Sequence, residues 1–130
     1  MPGTFPKQAI AIRTYKRAYD TPLIAPTGSV LIIIRREADW PGWIWCAGEG
    51  GVEAWVPESW LTLSGERAIL KKDYNSIELS FQAGEPLTLL VEESGWNLAS
   101  RAGGDCGWAP AEYVQIIQVS TSQDYTREGI

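Results

Sequence analysis

Alternating apolar and polar positions mark one strand-rich unit near the end of the chain. Residues 96–99 alternate between two faces, as a half-buried strand does, and Gly103-Gly104 then favours a tight hairpin turn. Residues 105–109 suit a second strand, which ends at Pro110 because proline has no N–H to donate to the ladder. Only one helical turn fits into residues 111–113 before the next apolar run. The pattern predicts strand, hairpin, strand, turn and strand.

The same unit occurs earlier in the chain, in residues 42–61. Four landmark pairs keep one spacing, since 96 − 43, 108 − 55, 110 − 57 and 113 − 60 all equal 53: Trp43 and Trp96, Trp55 and Trp108, Pro57 and Pro110, Trp60 and Tyr113. Two copies are too few for a solenoid. We therefore predict two small domains in tandem, residues 8–63 and 66–118, joined by the short linker Ser64-Gly65 and followed by a flexible or back-wrapping tail, residues 119–130.

Each half begins with a short strand, continues with a long aperiodic loop and then has an aliphatic strand: residues 9–14, 15–27 and 29–36 in the first half, and 66–70, 71–84 and 86–92 in the second. In the first aliphatic strand, Val30, Ile32 and Ile34 must face outward if the residues between them face the core. We expect this apolar face to pack against the second half or against a second chain. The alternative is a strand buried on both sides within its own domain.

Charge and hydropathy exclude several partners. The chain has 11 basic and 16 acidic residues and a formal charge of −5, which disfavours nucleic acid, because binding to a phosphate backbone depends on clustered Lys and Arg. The longest aliphatic run, residues 30–34, is too short for a membrane span, and residues 1–13 lack the apolar stretch of a signal peptide. We expect a cytoplasmic protein without a membrane partner.

Enzymatic and cofactor chemistry is not indicated. The chain has no His, and Cys46 and Cys106 do not correspond in the repeat, so neither a disulfide framework nor a zinc site is predicted. The glycine-rich residues 48–51 lie in a hairpin and not before a helix, so they do not form a phosphate-binding loop. We expect no enzyme, no metal and no cofactor.

The ordered motifs resemble those of SH3 domains. The second half has segments similar to the family's ELSF, GW and GWxPxxYV signatures: Glu78-Leu79-Ser80-Phe81, Gly95-Trp96, Gly107-Trp108-Ala109-Pro110 and Tyr113-Val114. The first half has looser counterparts: Ala11-Ile12-Arg13-Thr14-Tyr15 for the ALYDY strand, Leu23 and Gly28 for the ELSF block, Gly42-Trp43, Trp55-Val56-Pro57 and Trp60-Leu61. The resemblance implies an all-β fold of two tandem SH3-like, five-stranded, partly open antiparallel barrels, packed closely through a short linker.

The resemblance also implies a function, because SH3 domains bind extended proline-rich segments in shallow aromatic grooves. Carried over residue by residue, the first groove consists of Tyr15, Trp43, Pro57 and Trp60, with Asp20 as the acidic candidate. The second consists of Trp96, Pro110 and Tyr113, with Glu78 in the acidic position. Leu70 and Lys72 stand where the family has two aromatic residues, and Tyr74 is the candidate that compensates for them from the loop. Trp43 and Trp96 follow loops and are expected to face the ligand, whereas Trp45, Trp55 and Trp108 lie on strands and can simply cover the sheet.

Four function classes compete on these grounds. The first is a non-catalytic adaptor that binds a protein or a proline-rich peptide. The alternative is a structural or regulatory module whose grooves have degenerated and which mediates assembly or control of another protein, with a homo-oligomer as an open alternative. A bacterial cell-wall-binding module fits the size but lacks an export signal, and an enzyme is the least favoured class.

Overall fold

The computed structural model describes residues 5–35 and 41–117. They form an all-β protein with twelve strands: β1 (Lys7–Ala11), β2 (Ile24–Ala25), β3 (Val30–Arg35), β4 (Trp43–Ala47), β5 (Glu53–Pro57), β6 (Leu61–Ser64), β7 (Arg67–Leu70), β8 (Tyr74–Asn75), β9 (Pro86–Glu93), β10 (Trp96–Ser100), β11 (Cys106–Pro110) and β12 (Val114–Ile116). Helical structure in the described residues is limited to two 3-10 turns, Glu58–Trp60 and Ala111–Tyr113, as the sequence predicts. None of the described segments forms a helix with the length and apolar character needed to cross a bilayer.

The 53-residue spacing corresponds to repeated structure. β4 and β5 pair antiparallel around a turn in which Gly50 and Gly51 have φ of 94° and 85°, and β10 and β11 pair around Gly103 and Gly104, with φ of 104° and 102°. Such positive φ values favour glycine, which has no Cβ to clash with the backbone. The hairpins expected from both glycine pairs are therefore present.

Two five-stranded antiparallel sheets contain these hairpins. The first sheet has the order β5-β4-β3-β7-β6, and the second sheet has the order β11-β10-β9-β1-β12. The two orders correspond strand for strand, but β1 lies in the second sheet and β7 in the first. Each half of the chain thus contributes its first strand to the sheet of the other half, and the division into sheets does not follow the linker Ser64-Gly65 on which the expected domain boundaries rest.

The two long loops cross between the sheets and run antiparallel along each other. We call residues 12–29 and 71–85 the crossing segments. They are joined by the pairs Tyr15 with Phe81 and Ala25 with Tyr74, and between these by a hydrogen bond from Ser76 N to Leu23 O at 3.0 Å. Most main-chain bonding of these long segments is therefore between the halves, which explains how such aperiodic sequence is ordered.

Two hydrophobic cores lie behind these sheets. The first core includes Leu31, Ile44, Val56 and Leu70. The second core is formed by eight buried residues: Ala9, Ala11, Leu79, Phe81, Leu87, Leu89, Ala99 and Ala109. Each core therefore contains residues of both halves.

The outward face of β3 differs from expectation. Val30, Ile32 and Ile34 are 51%, 42% and 51% exposed in the chain, so the prediction that they pack against the other half is wrong. The second half does meet β3, but through β7, which pairs with its main-chain edge from Val30 to Ile32 and leaves the outward side chains uncovered. Packing against a second chain stays a prediction. The predicted tail, residues 119–130, and most of the charged loop 37–41 lie outside the described residues.

Candidate ligand-binding groove

A largely apolar groove of about 160 Å³ lies where the crossing segments meet β4, β5, β10 and β11. Its lining consists of seven aromatic residues with a few small and acidic ones: Tyr15, Tyr19, Trp43, Trp55, Tyr74, Trp96 and Trp108, with Ala18, Thr21, Glu53, Ala54, Ser76 and Glu78. The rings come from both halves of the chain. The fold therefore builds one composite groove at this place.

Three buried aromatic residues line the inner part of the groove. Trp43, Tyr74 and Trp108 are 6%, 3% and 2% exposed, and Trp108 contacts Trp43 edge-on with a ring-centroid distance of 5.3 Å. Their polar atoms are already used inside the protein. The Trp43 indole donates to Ser94 O at 3.1 Å, the Trp108 indole to Asn75 O at 3.2 Å and the Tyr74 hydroxyl to Trp55 O at 2.6 Å. What these residues offer a ligand is apolar ring surface.

The strand exchange brings Tyr15 into the groove beside Trp96. Tyr15 follows β1 into the second sheet, where its ring lies 6.2 Å from that of Trp96 and 5.2 Å from that of Tyr113, edge-on in both cases. Its hydroxyl donates to Glu78 Oε1 at 2.7 Å, and the same oxygen accepts the main-chain N–H of Ala18 at 2.8 Å. Burial raises the pKa of the Tyr15 phenol strongly, and the hydrogen bond to Glu78 and its negative charge raise it further. Tyr15 is therefore neutral at physiological pH and fixed in orientation.

The outer part of the groove is more exposed. Trp55 is half-buried and packs edge-on against Trp45 at 5.1 Å, while Tyr19 is 51% exposed and its ring lies 5.7 Å from that of Trp45. The guanidinium of Arg35 covers Trp55 at 5.1 Å from the ring centroid. Glu53, at the edge, accepts the indole N–H of Trp45 at 2.7 Å. This end combines accessible aromatic rings with a carboxylate.

The structure brings together five of the ten peptide-binding residues expected from the sequence: Tyr15, Trp43, Tyr74, Glu78 and Trp96. They were assigned to two separate grooves, whereas here they line a single one. Tyr74 also has a clearer role than that of a substitute, since it follows β7 as Tyr15 follows β1 and pairs with Ala25 as Tyr15 pairs with Phe81. Trp96 is half-buried, so part of its ring is exposed, as expected. Trp43 is buried, and the expectation of an exposed ring there is wrong.

The other five expected residues, Asp20, Pro57, Trp60, Pro110 and Tyr113, do not line this groove. Pro57 and Pro110 are buried, and each is the last residue of its strand, directly before a 3-10 turn. Trp60 is also buried, with its indole N–H donated to Glu93 Oε2 at 2.9 Å. Asp20 is exposed, and Tyr113 meets the groove through its edge-on contact with Tyr15.

Sequence reasoning missed Tyr19, Trp55 and Trp108 as lining residues. Trp55 and Trp108 were treated as cover for the sheet, although they recur at the same spacing of 53 as Trp43 and Trp96. This shared place in the repeat was a usable signal. Nothing in the local sequence distinguishes Tyr19, because its position depends on the crossing of the two segments.

In the described part of the chain, no group of three or more His, Cys, Asp or Glu side chains is placed to hold a metal ion. Comparison with protein-family models found no matching model, and comparison with curated proteins found no matching sequence.

Proposed function

We propose that the protein is a non-catalytic interaction module that binds an extended, proline-rich peptide segment in the composite groove, in the manner of an SH3-like adaptor. The observation that carries the proposal is the gathering of seven aromatic residues from both halves along one groove. The resemblance of the motifs to tandem SH3 domains supports it.

The chemistry of the lining fits such a ligand. The polar side-chain atoms of Trp43, Tyr74 and Trp108 are hydrogen-bonded within the protein. A ligand rich in hydrogen-bonding side chains would therefore form few hydrogen bonds with these three residues. Proline rings are apolar, and a polyproline II segment is already extended before it binds, so it loses little conformational entropy. Aromatic faces contribute chiefly by the apolar area that they remove from water.

The composite groove also favours one binding stoichiometry. Because Tyr15 and Tyr74 each enter it through the strand exchange, the two halves contribute to one site. We expect one peptide per chain and not one per half.

The test is a titration of the 15N-labelled chain with a polyproline decamer and a set of proline-rich peptides, followed by amide NMR and calorimetry. We expect shifts centred on Tyr19, Trp55 and Trp96 and a ratio of one. Tyr19→Ala removes an exposed ring, so it should weaken binding without lowering stability. Trp96→Ala should weaken binding about tenfold, the equivalent of roughly 1.4 kcal/mol of lost ring contact.

Phe5→Ala is the control for Trp96→Ala, because Phe5 is a half-buried aromatic residue like Trp96 but lies outside the groove. It should retain most of the affinity. Equal binding by the wild type and by a Tyr19→Ala, Trp96→Ala double variant would remove the groove from consideration.

One observation favours a second candidate, the structural or regulatory module. Val30, Ile32 and Ile34 form an exposed aliphatic row on β3, and contiguous exposed apolar surface is typical of interaction sites. If no proline-rich peptide shifts the groove resonances while Ile32→Asp changes the mass measured in solution, this second function is the better one.

A further inference from the structure

The exchanged strands β1 and β7 occupy equivalent places in their sheets. Ala9 lies opposite Leu87 of β9, and Ala68 lies opposite Leu31 of β3. On the other side, Ala11 pairs with Val114 as Leu70 pairs with Leu61. The main-chain bonds to the crossing segments also match, since Ala11 N donates to Glu85 O at 2.9 Å and Leu70 N to Ser29 O at 3.0 Å.

Hydrogen bonding therefore does not decide which strand enters which sheet. The flanking positions do not decide it either. Both strands have alanine at the first buried position, and both are followed by a cation over an aromatic ring, Arg13 at 4.2 Å from the ring centroid of Tyr113 and Lys72 at 4.6 Å from that of Trp60. The remaining buried position is the one that differs: Ala11 in β1 and Leu70 in β7, which are 2% and 1% exposed.

The crossing segments carry the complementary difference. Phe81 pairs with Tyr15 after β1, and at the equivalent place Ala25 pairs with Tyr74 after β7. Ala11 and Phe81 belong to the second core, and Leu70 with Ala25 to the first. Each core thus receives one residue from an exchanged strand, at position 11 or 70, and one from a crossing segment, at position 81 or 25. In the exchanged fold, one of the two is large and the other is small in both cores.

We infer that this size match selects the exchanged fold. If β1 paired within its own half, the first core would combine Ala11 with Ala25 and the second would combine Leu70 with Phe81. One core would then have an unfilled volume and the other an excess, and both faults destabilise a closely packed interior. Ala11, Ala25, Leu70 and Phe81 are therefore the determinants of the strand exchange, a role independent of whether the groove binds a peptide.

The inference predicts that exchanging two residues converts one fold into the other. In Ala11→Leu, Leu70→Ala the composition is unchanged, but the exchanged fold would now combine the new leucine with Phe81 in one core and the new alanine with Ala25 in the other. The unexchanged fold would combine the new leucine with Ala25 and the new alanine with Phe81, so its cores would be balanced. Strand β1 should then return to its own half.

A disulfide reporter distinguishes the two folds in one chain. Gln8 lies opposite Thr88 in the exchanged fold, with Thr88 Oγ1 donating to Gln8 Oε1 at 3.4 Å. By the equivalence above, Gln8 would lie opposite Ile32 in the unexchanged fold, because Ile32 is the partner of Arg67. The reporter carries Gln8→Cys, Ile32→Cys, Thr88→Cys and Cys106→Ser, and changes no determinant residue. The chain is refolded in a glutathione redox buffer, the monomer is isolated, and the 8–88 and 8–32 disulfides are quantified by mass spectrometry.

With the native determinants we expect the 8–88 disulfide in excess. With Ala11→Leu, Leu70→Ala the ratio should shift toward the 8–32 disulfide by more than about tenfold, since each misfit exceeds the free energy that corresponds to that factor. Adding Ala25→Phe and Phe81→Ala restores the balance of the exchanged fold, so this fourfold variant should return to 8–88.

The fourfold variant still tests the inference if the double variant does not fold. Recovery of a folded monomer with the 8–88 disulfide would support the size match. A folded double variant that keeps 8–88, or a fourfold variant that does not recover it, would overturn the inference.

Discussion

At the scale of single residues, Tyr15 shows how the groove depends on one polar contact. Its ring packs near Trp96 and Tyr113, and its hydroxyl is bonded to Glu78, a residue of the other crossing segment. Burial and the neighbouring carboxylate both disfavour the phenolate, so the folded chain holds the pKa of Tyr15 above the ordinary value of about 10. Stability from this neutral phenol is complete below pH 10 and is lost as the pH rises toward the folded pKa.

Glu78→Gln should lower the pKa of Tyr15, because it removes a negative charge and replaces a charged acceptor by a neutral one. The measurement is a pH titration followed by NMR of 13Cζ-labelled tyrosine. Burial remains in the variant, so its pKa should stay above that of free tyrosine. Glu112→Gln is the control, since the Glu112 side chain is 76% exposed and is paired with Arg13 at 4.0 Å. An unchanged midpoint in Glu78→Gln would show that Glu78 does not act on the phenol.

Single residues were predictable where the motif itself positions a side chain. Trp43 and Trp96 follow a loop in equivalent places, and both reach the groove. Their exposure was not predictable, because the indole of Trp43 is covered by Trp108 and bonded to Ser94, both from the other half of the chain. Local sequence contains no information about which distant residue covers a ring.

At the scale of elements, β11 and the second crossing segment approach each other closely. Leu79 N donates to Trp108 O and Trp108 N to Ile77 O, both at 2.9 Å, so the segment passes directly over Gly107. A Cβ on Gly107 would come within 2.7 Å of Leu79 N and 2.9 Å of the carbonyl carbon of Glu78. Only glycine allows this approach.

Gly107→Ala should therefore displace the segment and destabilise the fold by about 1–3 kcal/mol, the usual cost of overpacking against main chain. The measurement is urea unfolding followed by tryptophan fluorescence. Gly48→Ala is the matched comparison, because a Cβ there meets side-chain atoms of Leu23 and Leu31 and no main-chain atom, and side chains can shift further than main chain can. Equal losses in the two variants would show that the main-chain contact at Gly107 is not restrictive.

The hairpins and 3-10 turns could be predicted because glycine pairs, prolines and alternation are local signals, and the spacing of 53 repeats them. The partner of β1 could not. Its pattern, alanine at positions 9 and 11 with outward residues between, satisfies the pleat beside β3 as well as beside β9. The two pairings place different combinations of the side chains at positions 11, 25, 70 and 81 in each core. Their sizes become informative only once the equivalent positions are known.

At the scale of the whole molecule, the halves do not have separate structures. Each core contains residues of both halves, and the crossing segments bond to each other along most of their length. Each sheet contains one strand from the other half of the chain, so neither half can unfold without disrupting both sheets. We therefore expect one cooperative unfolding transition, with equal calorimetric and van't Hoff enthalpies.

Leu31→Ala and Leu87→Ala test this expectation. The two residues are equivalent, are 1% and 2% exposed, and lie in different cores. Each substitution should cost about 2–5 kcal/mol and should move the same single transition to lower temperature, whether it is followed by circular dichroism or by tryptophan fluorescence. Two separated transitions in either variant would indicate that the cores unfold independently.

The order of the strands along the chain has a consequence for folding during synthesis. All strands of the first sheet lie between Val30 and Leu70, whereas the second sheet joins β1 to strands that begin at Pro86 and end at Ile116. The first sheet is thus nested in sequence within the second. As the ribosome releases the chain, the inner sheet can close from short-range contacts, while β1 can reach its native partners only after β9 and β12 have emerged. The slowest-forming contacts, those of highest contact order, are therefore the ones that hold β1 in place and bring Tyr15 to the groove.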